Sequence, residues 1–126
     1  MRLLIAMLLA VVPLGAAAHT MSPASQKIFV ANDTTYVKYT VTNKFPWPAT
    51  FVMEILEKDQ KTLFTEWESL PQNIKLLDGR DTDVYLKIDT TEERKLVVCS
   101  KLHKVGYNET NARTITRVCT RLWLYR

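Results

Sequence analysis

The residues of this chain with the widest chemical repertoire are two cysteines, Cys99 and Cys119, and two histidines, His19 and His103. The cysteines form no CxxC pair, so neither a zinc centre nor a thioredoxin-like redox site is supported. The histidines lie away from any nucleophile motif, and His103 reads as a solvated strand-end residue. GxSxG, HExxH and glycine-rich phosphate loops are absent, and the chain has only three glycines with which to bring backbone close to a phosphate. No acid, base and nucleophile converge. The expectation is a protein that is not an enzyme, with no cofactor, no metal and no small-molecule substrate.

The remaining chemistry of the cysteines is oxidation to a disulfide, which depends on the elements that carry them. Lys95–Leu102 and Thr114–Tyr125 read as two strands joined by a polar turn. Folding this segment about Glu109 brings Cys99 and Cys119 opposite each other on consecutive strands, so the bond would lie within one sheet. Two free thiols, or one cross-link between chains, are the alternatives. Closing a loop of about 20 residues is worth on the order of 3 kcal/mol in the entropic account. A stitched hairpin in an exported chain suggests an edge that must stay straight and available.

Export is expected from the first 18 residues. Arg2 is followed by the apolar run Leu3–Leu14 and by Ala16-Ala17-Ala18, the pattern of a cleaved signal peptide covering 1–18. An uncleaved anchor is the alternative. The run is shorter than the ~20 apolar residues of a membrane span, and no second run follows, so none is expected in the mature chain. Residues 19–126 would form one small domain beginning at His19, in which a disulfide is useful because little surface is buried. The net charge of +4 is spread along the chain. With no dense basic run and no aromatic stacking platform, nucleic acid is not expected as a partner.

The mature chain reads as all-β. Strands are expected over Ser25–Ala31, Tyr36–Thr42, Thr50–Leu56, Leu63–Trp67, Pro71–Leu77 and Asp83–Ile88, followed by the cysteine hairpin. Val37, Tyr39 and Val41 alternate with Lys38 and Thr40, and Val84, Leu86 and Ile88 with Asp83, Tyr85 and Lys87. This period of two marks strands with one buried face. Asn32-Asp33 and Asp78-Gly79 are turns, and Phe45-Pro46-Trp47-Pro48 is a corner stiffened by two prolines, either of which could be cis. Thr90–Arg94 is a polar crossover with room for one helical turn, and Trp47 and Trp67 are expected to close the sandwich ends. The sequons at Asn32 and Asn108 are candidate glycan sites in a eukaryotic secreted protein. The expected fold is a seven-stranded immunoglobulin-like β-sandwich with an intra-sheet disulfide in the C-terminal hairpin.

Several segments together resemble the N-terminal domain of PapD-like periplasmic pilus-assembly chaperones. They are Ser22-Pro23 before Gln26-Lys27-Ile28-Phe29-Val30, Tyr39-Thr40-Val41-Thr42-Asn43, the Phe45-Pro46-Trp47 corner, Leu76-Leu77-Asp78-Gly79, and the ending Thr120-Arg121-Leu122-Trp123-Leu124-Tyr125-Arg126. A cysteine pair joining the last two strands is similar to one in a subset of that family. The resemblance implies a non-catalytic, periplasmic binding module that assists assembly of pilus or other surface or secretion subunits. It would lend its last strand to a protein subunit by β-strand pairing. The interaction edge it implies is Val118, Thr120, Leu122, Trp123 and Leu124. Lys27 and Arg121 would bind the subunit's terminal carboxylate, with Trp123 replacing Arg121 if the register shifts.

Three departures from the family pattern stand out. The family's second domain is absent from this reading. The last strand begins Thr114-Ile115-Thr116-Arg117-Val118, without sustained bulky apolar alternation, and a lysine stands at the first anchor in place of the more usual arginine. The alternatives are a structural subunit of an envelope or surface apparatus, and a secreted or cell-surface immunoglobulin-like adhesion domain.

Overall fold

The computed structural model describes residues 19–105 and 116–126. The expected signal peptide, the turn at Glu109, the Asn108 sequon and the start of the last strand at Thr114 and Ile115 lie outside the described residues.

Among the described residues nine strands follow one another: β1 (His19–Ser22), β2 (Ser25–Phe29), β3 (Thr34–Asn43), β4 (Ala49–Glu57), β5 (Trp67–Leu70), β6 (Asn73–Leu76), β7 (Asp81–Asp89), β8 (Arg94–Val105) and β9 (Arg117–Tyr125). They form a four-stranded sheet, β1-β3-β7-β5, and a five-stranded sheet, β2-β9-β8-β4-β6. All pairings are antiparallel except β2 with β9. The architecture is the expected immunoglobulin-like sandwich, and the Cys99–Cys119 disulfide lies within the five-stranded sheet.

Strict alternation builds the core. Val37, Tyr39 and Val41 of β3 meet Phe51, Met53 and Ile55 of β4, Val84, Leu86 and Ile88 of β7, and Leu122 and Leu124 of β9 in one cluster. Each strand leaves its intervening residues on an outer face, as the side-chain period of two requires.

Four local expectations are corrected. A further strand precedes the expected first one: the chain pairs with β3 as β1, passes the proline at Pro23, and enters the other sheet as β2, which ends at Phe29. Pro23 has no amide hydrogen to offer a ladder, which suits it to this crossing. The cis bonds are Ser22-Pro23 and Leu70-Pro71, so neither proline of the corner follows one. Leu63 makes only an isolated bridge to Leu56, and the strand of that region is displaced to Trp67–Leu70. Phe64 instead buries its ring in the core and donates its amide to Ile55 O at 2.9 Å. Residues 90–93 form no helical turn; the Thr90 hydroxyl closes a tight bend with the backbone of Glu92.

The corner after β3 is held by a buried side chain as well as by its prolines. Asn43 Nδ2 donates to the carbonyls of Trp47, Leu76 and Leu77 at 3.0–3.2 Å, and Oδ1 accepts the Phe45 amide at 2.9 Å. One amide group thus ties the corner to the end of β6. Trp47 is 46% exposed and closes nothing, whereas Trp67 packs against the core.

His19, the first described residue, is not solvated. It is buried, with Nε2 2.9 Å from Ser100 Oγ and 3.1 Å from Ser100 O, and its ring centroid lies 4.5 Å from that of Phe51. Burial holds its pKa below the ordinary histidine value, against a smaller opposing effect of the hydrogen bond to Ser100.

Candidate functional site

The last strand has two different halves. From Arg121 to Tyr125, β9 is flanked by β8 on one side and by β2 on the other. From Arg117 to Thr120 it pairs with β8 only. The direction of its backbone groups follows from their partners. Leu102 N donates to Thr116 O on the β8 side, while Arg121 N donates to Ala24 O and Tyr125 O accepts from Val30 N on the β2 side. Odd-numbered residues of β9 therefore aim N–H and C=O away from β8. At Arg117 and Cys119 no strand among the described residues pairs with that side.

The expected interaction edge is redistributed by this geometry. Leu122, Trp123 and Leu124 lie where the backbone is flanked by strands on both sides, and Leu122 and Leu124 are buried in the core, so they present no edge. Val118 and Thr120 belong to the open half, with side chains turned inward. Sequence reasoning could not find this boundary, because it is set by where β2 begins.

Lys27 and Arg121 are brought together. In the parallel ladder Lys27 is opposite Trp123 and Ser25 opposite Arg121, which puts both cations on the outer face of the five-stranded sheet. They line one concavity of about 570 Å³, with Lys95 from β8 and Lys58 and Gln60 from the turn after β4. Trp123 is the centrepiece. Lys27 Nζ stands 4.2 Å from its ring centroid and Lys95 Nζ 4.7 Å, both within cation–π range. The indole Nε1–H donates to Glu93 Oε1 at 2.6 Å, which fixes the ring. Lys27 also lies 4.9 Å from the Tyr125 ring.

Lys58, Gln60 and Lys95 were not among the expected site residues. Lys58 and Gln60 belong to the charged turn Glu57–Lys61 and Lys95 opens an expected strand, but nothing local joins them to Lys27 and Arg121. The four cations form no ion pair with a carboxylate among the described residues, whereas Arg94, Arg117 and Arg126 do. The arrangement is a cation-lined cleft beside an unpaired stretch of strand. Among the described residues no group of three His, Cys, Asp or Glu side chains could hold a metal ion, and no helix is long and apolar enough to cross a membrane.

No family model and no curated protein matches this sequence. Solved structures do match in fold. The Escherichia coli chaperone DraB is 16% identical with a TM-score of 0.66, over 86% of this chain and 55% of that one. The Salmonella enterica SafA pilin in complex with the SafB chaperone gives 14% identity and a TM-score of 0.67, over 86% and 54%. WR4, an MSP family member of Caenorhabditis elegans, gives 8% and 0.63, over 86% of this chain and 98% of that one. The shared class is the PapD-like immunoglobulin fold. The chain spans about half the length of the chaperone structures it matches.

Proposed function

We propose that this protein is a non-catalytic, exported binding module that pairs the open half of β9 with an extended segment of a protein partner. In its fullest form the reading is a periplasmic chaperone-like role in assembling pilus or other surface subunits. The observation that carries it is the unpaired flank of Arg117–Thr120 running directly into the basic cleft at Lys27 and Arg121. Backbone pairing supplies affinity along such an edge, and a charge-assisted contact fixes where the partner ends.

The fold itself suggests the direction of pairing. β2 runs parallel to β9 and begins opposite Arg121. A partner strand in line with β2 and also parallel to β9 would reach the cleft with its C-terminus, putting a carboxylate among cations. An antiparallel strand would bring its N-terminal ammonium there, against like charge. Two of the similar structures support the client class: one is a pilin in complex with a chaperone, another a chaperone–tip adhesion subunit pre-assembly complex.

The test is amide hydrogen exchange with and without an extended peptide bearing a free C-terminus. In the free protein the Arg117 and Cys119 amides exchange quickly, and the peptide protects them. Arg117→Pro, which removes one edge donor, weakens binding by about tenfold, whereas Arg117→Ala leaves it nearly unchanged. Protection confined to other strands, or equal affinity in the proline variant, would defeat the edge reading.

A further inference from the structure

The two sheets carry opposite charge on their outer faces. On the five-stranded sheet, the residues that alternate with the core-facing ones include Lys27 on β2, Arg117 and Arg121 on β9, Lys95 and Lys101 on β8, and Lys75 on β6. Glu54 of β4 is the one carboxylate among the described strand residues of that face, and it pairs with Arg117 at 3.4 Å. Glu93, from the bend before β8, reaches the rim at the Trp123 indole, and Lys58 adds a cation from the turn after β4. Asp59, beside Lys58, is engaged within that turn, where it accepts the amides of Lys61 and Thr62 at 2.8 Å. On the four-stranded sheet the sign reverses. Asp81, Asp83 and Asp89 of β7 and Glu68 of β5 outnumber Lys38 and Lys87. With about 10 Å between its sheets, the sandwich is polarised across its thickness.

The basic face also carries aromatic surface. Phe29 is 60% exposed, and its ring lies 5.5 Å from that of Tyr125, which in turn lies 5.9 Å from Trp123. The cations are spread in two dimensions. Four strand spacings separate β2 from β6, about 19 Å, and the chain from Arg117 to Trp123 covers about 20 Å along β9. A single extended chain would meet one row of them. A surface of negative charge meets them all together, and aromatic side chains on the same face suit the boundary between headgroups and acyl chains. A second copy of this chain fits less well, because Lys38 and Lys87 stand on the two central strands of its acidic face.

We infer that the outer face of the five-stranded sheet is a peripheral docking surface for an anionic lipid bilayer. The bilayer lies over the sheet, whereas a partner strand lies in its plane against the flank of β9, so this inference does not rest on strand pairing. Each basic side chain held near an anionic membrane surface strengthens binding by about fivefold. The acidic face, turned to solvent, orients the molecule with β2, β9 and β8 toward the lipid.

The experiment is co-sedimentation of the full-length chain with vesicles of phosphatidylcholine, alone or with about one third phosphatidylglycerol. Binding to the neutral vesicles is the baseline, and it includes whatever the apolar N-terminal run contributes. Phosphatidylglycerol is expected to raise affinity above that baseline, and added salt to remove the gain. Lys75→Gln/Lys101→Gln, which leaves the cleft intact, is expected to cut the gain by about 25-fold, the effect of two cations. Lys38→Gln/Lys87→Gln makes the same change in net charge on the opposite face and is expected to leave the gain unchanged. Absence of any gain overturns the inference. So does an equal loss in the two variants, which would make the attraction one of net charge rather than of this face. Self-association lost in the Lys75/Lys101 variant, with no gain on vesicles, would assign the face to a second copy instead. Dextran sulfate that binds through these lysines where vesicles gain nothing would assign it to an anionic polymer. Both variants keep Lys27 and Arg121, so none of these results bears on the strand-pairing reading.

Discussion

Cys99 and Cys119 face each other across the β8–β9 ladder with Cα atoms 4.0 Å apart, on the stretch of β9 whose other flank pairs with no strand among the described residues. The short separation marks a non-hydrogen-bonded pair, in which both backbone groups of each residue point away from the other strand. Cys119 therefore offers its N–H and C=O to the open side while its side chain is covalently fixed to β8. The disulfide holds in place a residue that a partner strand would use.

Removing this bond is expected to cost about 2–4 kcal/mol of stability, the usual range for a native disulfide closing a loop of this length. Urea unfolding of Cys99→Ala/Cys119→Ala against the oxidised protein measures it. Equal midpoints would show that the hairpin holds without its cross-link.

Asn43 is expected to matter more than its type suggests. Truncation to alanine leaves the Phe45 amide and three carbonyls without this side chain at a site it occupies while fully buried. Asn43→Ala should cost about 2–3 kcal/mol, the penalty for stranding buried polar groups. A loss below about 0.5 kcal/mol would mean that Pro46 and Pro48 hold the corner by themselves.

Acid is expected to weaken the fold through His19. The imidazole titrates near its ordinary value in the unfolded chain and lower in the fold, because burial disfavours the cation. Between those two values the unfolded chain binds more protons, so stability is complete above about pH 6.5 and declines as pH falls toward the lower folded value. Unfolding midpoints between pH 7.5 and 5.5 should therefore drop, and drop less in His19→Gln. Parallel pH profiles for the two proteins would remove His19 from the explanation.

Much of the fold was legible because its causes are local. The alternation in Val37–Val41 and Val84–Ile88, and the turn chemistry of Asn32-Asp33 and Asp78-Gly79, are written within a few residues. They mark strands and their buried faces wherever those strands end up. Two cysteines on consecutive strands left one intramolecular pairing, and the ladder register satisfied it. Lys27 and Arg121 were found through resemblance, and the parallel pairing of β2 with β9 gave them a common face.

The sequence by itself determined most of the strand-forming segments, the faces they bury and the one intramolecular pairing open to the cysteines. Only the tertiary structure decided that β9 is covered from Arg121 onward and open before it, because that boundary depends on where β2, from the far end of the chain, docks in the sheet. It also decided that Lys58 and Lys95 share a cleft with Lys27 and Arg121. A strand records its own alternation, but its neighbour is selected by the whole core. Charges distant in sequence become one site only when the ladder register aligns them.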